Sequence, residues 1–364
     1  MDLEYVEADG SWYDIGFAEG QAQRCMVKYV IYRYACYHSN SSAWRVLDKV
    51  TEGVEEFLRS HHPEEWDELR GIADGAGVDL PLLVACNFPY AVSSFIGKND
   101  THSPLPREQC SNIIFPTSEW GPLLGGCLDD DPLRFMLAGR PTNGIDFCCV
   151  MFPGWVACTW GGMNAAGLAV CGASSQPLLK KNKRSEKRVF GLDMLHPMRV
   201  LLRSCRTVDE ALERMAQSDL WAGDNYSIMD SSGRGVQVHG YVGNSLELRV
   251  VEMPEDRGIC CGNFFTWEII PEDFDRFPGK QDVFSRYSSL KRAVDGNLGA
   301  YSVDAMKAVL TSHEGDPKKV ESVCNDGNIV SMIAAPTIGK LLFATRPACV
   351  QGFKEYPITG SKKC

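Results

Sequence analysis

Glu108-Gln109-Cys110-Ser111-Asn112-Ile113-Ile114-Phe115 is the stretch on which the reading of this chain turns. A polar segment with Pro104 and Pro106 leads into it, and the apolar triplet Ile113-Ile114-Phe115 reads as the opening of a buried strand. A cysteine just after an exposed loop stands where a nucleophile would sit if the peptide bond before it were cut. Cleavage between Gln109 and Cys110 would leave Cys110 with a free α-amino group. The reference pKa of such a group, about 7.7–8.0, suits it to act as general base for its own thiol. The residues alone equally allow, and on their own favour, an inert thiol, because free cysteine is among the most buried residue types.

Working outward, the chain before Cys110 reads as mainly helical. A turn at 10–16 feeds a helix running toward Tyr34, and residues 44–59 carry apolar Val46, Val50, Val54 and Leu58 at helical spacing. A third helix begins after Pro63, with Glu64 and Glu65 in the first turn where the helix dipole favours acids, and reaches the glycine-rich segment 71–77. Residues 79–87 read as a fourth. The loop 98–109 is the expected boundary between a helical N-terminal segment, 1–109, and a core, 110–364.

Beyond Cys110 short apolar runs recur at 113–115, 135–138, 147–152, 156–159 and 168–170, separated by Gly, Asn, Asp and Pro, with 160–167 read as a tight turn. Helices are expected at 197–205 and at 208–217, the latter capped by Thr207. Strands follow at 225–229, 235–239 and 246–251, helices at 281–294 and 303–311, and a final strand pair at 329–334 and 340–344. Strand groups interleaved with paired helices predict an α+β layered sandwich with largely antiparallel sheets.

Composition narrows the function classes. With 364 residues, 44% hydrophobic and 23% charged, the chain has the make-up of an ordinary folded protein. A net charge of −10 argues against a nucleic-acid groove or an anionic membrane surface as partner. No apolar run has the length of a membrane span, and the first residues show neither a basic nor an apolar signal region. Fifteen cysteines, odd in number and scattered through apolar runs, form no Cys-x-x-Cys pair and no Cys/His set with zinc spacing. Free thiols, a reducing cytoplasmic setting and no metal or cofactor are therefore expected. The run Lys180-Lys181-Asn182-Lys183-Arg184 reads as a solvated loop.

Several separated stretches together resemble the acyl-coenzyme A:6-aminopenicillanate acyltransferase family of N-terminal-nucleophile (Ntn) hydrolases, which includes β-alanyl-amine hydrolases. They are Gly10-Ser11 with Ile15-Gly16 and Gly20, residues 69–77, Cys110-Ser111, Leu123-Leu124-Gly125 with Asp129, and Gly162-Met163-Asn164 with residues 167–170. The order continues through residues 207–211, Asn225-Tyr226 with Asp230 and Gly233, Gly262-Asn263-Phe264, His313 with Val323-Cys324, and residues 346–349. Each piece is weak, but the collinear order over nearly the whole chain is specific.

The resemblance implies a four-layer αββα Ntn sandwich with a helical N-terminal region, self-cleavage between Gln109 and Cys110, and Cys110 as nucleophile. It implies Asp129 as the acid near nucleophile and amine, and Asn225 as oxyanion donor. Ser111, Asn164, Asn263 and Arg346 would line the substrate. The expected partner is a small acyl-amine or acyl thioester, and the cleaved N-terminal segment would stay associated with the rest. Hydrolysis of an amide, acyl-CoA-dependent acyl transfer, and non-catalytic binding of an acylated ligand all remain open. So does a papain-like pairing of the thiol with His239 or His313. Three positions depart from the family pattern: Cys127 stands where relatives have asparagine, Asn325 where they have arginine, and Gln109 where the penicillin enzyme has glycine.

Overall fold

The computed structural model describes residues 3–37, 42–96, 109–129, 133–156, 159–175, 190–192, 196–217, 224–242, 246–267, 269–277, 280–316, 318, 321–346 and 348–358. The chain opens with β1 (Tyr5–Gly10), then α1 (Trp12–Ala22), α2 (Arg24–Tyr37), α3 (Leu47–His61), α4 (Pro63–Ala76), α5 (Leu80–Asn87) and α6 (Pro89–Ile96). Six strands follow: β2 (Gln109–Phe115), β3 (Leu123–Asp129), β4 (Phe135–Pro141), β5 (Phe147–Met151), β6 (Thr159–Asn164) and β7 (Ala169–Ala173). Next come α7 (His196–Ser204), α8 (Val208–Ala216), β8 (Asn225–Met229), β9 (Gly235–Val242), β10 (Leu246–Glu252) and β11 (Ile259–Cys261). The chain closes with α9 (Gln281–Gly296), α10 (Val303–Leu310), β12 (Asn328–Ala335), β13 (Lys340–Thr345), α11 (Ala348–Gln351) and β14 (Lys354–Glu355).

The strands form two sheets: eight strands in the order β1-β4-β5-β6-β7-β8-β9-β10, and six in the order β11-β2-β3-β12-β13-β14. Neighbours are antiparallel except β1, which lies parallel to β4. Side chains alternate across each strand, so every strand feeds two layers. On β2, Cys110 and Ile114 point between the sheets, where they meet Trp160, Cys171, Met229, Met332 and Phe343. Ile113 and Phe115 point the other way, onto Leu290, Met306 and Leu310 of α9 and α10. The outer face of the eight-stranded sheet, with Val170, Tyr226 and Val238, is covered by Trp12, Ile15, Met198 and Leu201 of α1 and α7. The result is the αββα sandwich, with α2–α6 adding a helical cluster around Val50, Leu69, Ile72 and Val84.

The departures from the sequence reading have local causes. The expected turn at 160–167 is mostly strand β6; the turn itself is confined to 165–167, with Gly167 at φ 83°. Gly162 looks like a turn residue, yet it serves close packing, since a Cβ there would lie 2.3 Å from the Cys148 carbonyl oxygen. Gly125 in β3 is similar: a Cβ would meet Met306 Sδ at 2.5 Å. Strand β1 also breaks the helical pattern expected for the N-terminal segment, because its residues pair with β4 rather than with their own neighbours. Among the remaining expectations, the boundary loop up to residue 108, the run 180–184 and part of 156–159 lie outside the described residues.

Two helices of the N-terminal segment meet backbone to backbone. Ser11 caps α1, accepting from the Asp14 N–H while Asp14 Oδ2 accepts from Ser11 N at 2.8 Å. α4 starts at Pro63 and ends on Gly77 in the left-handed region. Between these caps, Gly16 and Gly20 of α1 face Gly71 and Gly75 of α4. A Cβ on Gly16 would lie 2.1 Å from the Glu68 carbonyl oxygen, one on Gly71 2.2 Å from that of Tyr13, and one on Gly75 2.2 Å from that of Phe17. The close approach brings Glu19 and Glu68, both fully buried, toward Arg199 of α7. Arg199 pairs with Glu68 and stacks over Phe147, its guanidinium carbon 4.0 Å from the ring centre. Burial, reinforced by the Glu68 charge, holds the Glu19 carboxyl above its ordinary range, while burial pushes Glu68 up to about 7 against the pull of Arg199, its ion-pair partner. Arg203 pairs with Glu65 in the same interface.

No helix among the described residues is long and apolar enough to cross a membrane.

The glycine seam gives a contrast between two substitutions. Gly71→Ala, which sets a methyl against main chain that cannot rotate away, is expected to lower stability by about 3 kcal/mol. Gly296→Ala, with nothing within 4 Å, is expected to be neutral or to stabilise by roughly 0.5 kcal/mol. Urea unfolding of both variants checks this, and equal midpoints would contradict it.

Candidate active site

Cys110 is the second residue of β2 and fully buried, its thiol directed into the layer between the sheets. β2 pairs with β3 on one side, Cys110 opposite Leu128 and Gln109 opposite Asp129. On the other side β11 ends with Cys261 opposite Asn112, so its ladder stops short of Cys110. In place of a strand carbonyl, Asn263 Oδ1 accepts the Cys110 N–H at 3.0 Å. The same oxygen accepts from Arg286 Nη2 at 3.0 Å, while Asn263 Nδ2 donates to the Ser174 carbonyl at 2.8 Å. Asn263 thereby ties the start of β2 in one sheet to the end of β7 in the other.

Arg286, only 1% exposed, comes from α9 and reaches Asp129 Oδ2 with its Nε at 3.8 Å. Alternation on β3 places Asp129 on the α9 side, away from the Cys110 thiol. There Asn325 Nδ2 donates to Asp129 Oδ2 at 3.0 Å and Asn328 Nδ2 to Oδ1 at 3.2 Å. The acid expected beside the nucleophile thus connects to the Cys110 nitrogen through Arg286 and Asn263. Asn325 supplies a neutral donor to Asp129, and Arg286 of α9 supplies the positive charge.

Asn225 begins β8 and faces the same inter-sheet layer. As an oxyanion donor it would present its amide hydrogens to substrate. Here both are engaged: Nδ2 donates to the carbonyls of Gly262 at 2.8 Å and Phe264 at 2.9 Å, the two residues that flank Asn263. Its Oδ1 lies 2.6 Å from His239 Nδ1, and since a carbonyl oxygen only accepts, Nδ1 carries the proton. Nε2 of His239 then accepts from the Thr266 hydroxyl at 3.2 Å. Burial, aided by the nearby Arg249 charge, lowers His239 to about 4, so the ring is neutral at physiological pH. With both ring nitrogens engaged by Asn225 and Thr266, His239 does not form a papain-like pair with the thiol.

The remaining sequence candidates are placed elsewhere. Ser111 is buried on the opposite face of β2 from the Cys110 thiol. Asn164 spends its amide on the turn after β6: Nδ2 donates to the carbonyls of Leu202 and Cys205 at 2.9 and 2.7 Å, and Oδ1 accepts from the N–H groups of Ala166 and Leu168. Arg346 is exposed just after β13. Cys127 lies against α10, its sulfur 3.2 Å from Ser331 Oγ, with burial pushing its thiol well up. Arg286 was not singled out from the sequence, although a signal exists: it falls in the buried stripe of α9 with Val283, Phe284, Tyr287 and Leu290.

No family model matches the chain, and no curated protein matches it. Among solved structures it is similar to penicillin V acylase from Agrobacterium tumefaciens, at 14% identity over 65% of this chain and 83% of that one, with a TM-score of 0.42. It is also similar to conjugated bile acid hydrolase from Clostridium perfringens in two single-residue variants. One aligns at 12% identity over 70% of this chain and 97% of that one, with a TM-score of 0.43. The other aligns at 11% identity over 70% and 100%, with a TM-score of 0.44. Identities and scores of this size carry no information on substrate or residue roles.

The buried, neutral His239 predicts a pH response. Its folded pKa of about 4 lies below the unfolded value near 6.5, so between these the unfolded chain binds more protons. Its contribution is complete above pH of about 6.5 and is lost as pH falls toward about 4, a change of about 3 kcal/mol. His62, lowered to about 3 by burial and neighbouring arginines, acts in the same direction. Comparing wild type with His239→Gln by urea unfolding at neutral and acidic pH isolates the His239 part. A variant with an undiminished pH slope would refute it.

Proposed function

We propose that this chain is a self-processing cysteine hydrolase of the Ntn type, which cleaves a small-molecule amide through a Cys110 acyl-enzyme. The observation that carries the reading is the capture of the Cys110 backbone nitrogen by Asn263 Oδ1, an oxygen that also accepts from Arg286. In an intact chain that nitrogen belongs to the Gln109–Cys110 amide. After cleavage it would be the catalytic amine, and the same acceptor would hold it.

In processing, Cys110 Sγ attacks the Gln109 carbonyl carbon. The C–N bond breaks, the nitrogen takes the thiol proton, and a thioester joins Gln109 to the sulfur. Water then releases the Gln109 carboxylate and restores the thiol, now beside a free amine. In turnover that amine takes the thiol proton, the thiolate attacks the substrate carbonyl, and the leaving amine departs protonated. Water hydrolyses the acyl-enzyme; an incoming amine in its place would give acyl transfer.

Each buried polar group has a task in this scheme. Arg286, bonded to the oxygen that holds the Cys110 nitrogen, disfavours the ammonium form and keeps the amine available as a base. Asp129 holds Arg286, with Asn325 and Asn328 orienting its carboxylate. Asn225, gripping the carbonyls on either side of Asn263, sets where that acceptor points.

Cleavage would divide the chain into 1–109 and 110–364. The N-terminal piece would remain bound, since β1 is a strand of the larger sheet, paired with β4 from Tyr5 to Gly10, and Glu68 is locked to Arg199.

Intact mass spectrometry of wild type beside Cys110→Ala is the test. Expected are two co-purifying fragments, 1–109 and 110–364, from wild type and one whole chain from the variant. Asn263→Ala, which removes the acceptor and keeps the thiol, is expected to slow the cleavage. A wild-type chain that stays whole and turns over no acyl-amine would overturn the proposal.

A further inference from the structure

Away from Cys110, the fold gathers three soft donors that the sequence keeps far apart. His313 lies in the turn after α10, Cys324 in the segment leading to β12, and Cys349 in α11. A ring nitrogen of His313 and the two Sγ atoms all lie within 4.8 Å of one another, and among the described residues this is the one such His/Cys/Asp/Glu group. The main chain holds them there: Cys324 N donates to the Ser312 carbonyl at 2.9 Å, and Ser322 Oγ to the Cys324 carbonyl at 2.6 Å.

We propose that His313, Cys324 and Cys349 form a binding site for a soft divalent cation of the zinc class, with a fourth position open to solvent. Two thiolates and one imidazole match the donor preference of such an ion. Metal–sulfur bonds of about 2.3 Å and metal–nitrogen bonds of about 2.0 Å in a tetrahedron set the donor atoms roughly 3.5–3.8 Å apart, so closing around the ion needs shifts of about 1 Å. His313 and Cys349 are exposed and Cys324 buried, which gives the ion an entry path and an anchored inner ligand. Binding would release the thiol protons and leave two thiolates neutralised by the dication. A disulfide between the cysteines would give the imidazole nothing to do.

The site also has a consequence for Asp129. Cys324 is followed by Asn325, whose amide bridges Asp129 Oδ2 and the Ser322 carbonyl. An ion on Cys324 would fix the segment that holds the Asp129 carboxylate in place. The site does not depend on cleavage before Cys110, and metal loading reads it independently of turnover.

The experiment is titration of the full reduced chain with Co2+, followed by thiolate-to-cobalt charge-transfer absorption and metal content per chain. Expected is one equivalent with a tetrahedral thiolate spectrum, bleached by Zn2+. The band should be lost in Cys349→Ser and His313→Ala, both surface changes, and kept in Cys25→Ser, which alters an exposed thiol elsewhere. Absence of the band in wild type, or its survival in both ligand variants, would overturn the site. So would mass mapping of the freshly purified chain that finds Cys324 and Cys349 joined as a disulfide.

Discussion

Gly16, Gly20, Gly71 and Gly75 let α1 and α4 touch along their main chains, and much of the molecule is arranged by that contact. Side chains there would push the helices apart by the size of a methyl group on each face. At the distance the glycines allow, Glu19 and Glu68 are sealed from water beside one cation, Arg199, which pairs with Glu68. A buried carboxylate without a partner is strongly disfavoured, so the helix pair has one stable seat on α7 and hence on the larger sheet. Strand β1, leading directly into α1, adds the edge of that sheet to the same assembly. The segment before Cys110 is therefore part of the sandwich rather than an appendage to it.

At the other side of the molecule a second buried guanidinium has a different task. Arg286 stands between a carboxylate, Asp129, and a neutral amide, Asn263, so its charge is directed at the nitrogen of Cys110. From there a run of amide and imidazole contacts crosses between the sheets: Asn263 to Ser174, Asn225 to the carbonyls beside Asn263, His239 to Asn225, and Thr266 to His239. Each member is neutral and engaged, which lets it be buried at low cost and holds the turn 262–264 in one orientation. The larger sheet thus positions an acceptor for a residue that belongs to the smaller one.

Much of this was legible in the residues. The apolar triplet after Cys110 marked a buried strand, Thr207 capped α8, and acids in the first turn marked α4. Glycines were harder to read. Gly162 and Gly125 looked like turn or motif residues, but they sit in strands where a side chain would collide, Gly162 with the adjacent strand β5 and Gly125 with Met306 of α10. Asn225 was legible as a polar residue at a strand start, yet not as one whose hydrogens are already committed. Its partners are carbonyls nearly forty residues later, and main-chain carbonyls leave no mark in a sequence.

The sequence by itself determined the alternation of helix and strand, the layered class, the free-thiol chemistry and the position of a cysteine at the mouth of a strand. These follow from local periodicity and from the solvation of single side chains, which neighbours along the chain largely decide. Only the tertiary structure decided that Arg286 faces Asp129, that Asn263 holds the Cys110 nitrogen, and that His313, Cys324 and Cys349 meet. Such contacts join residues from different layers, and the distances among them are set by sheet pairing and helix packing, which no single stretch of sequence encodes.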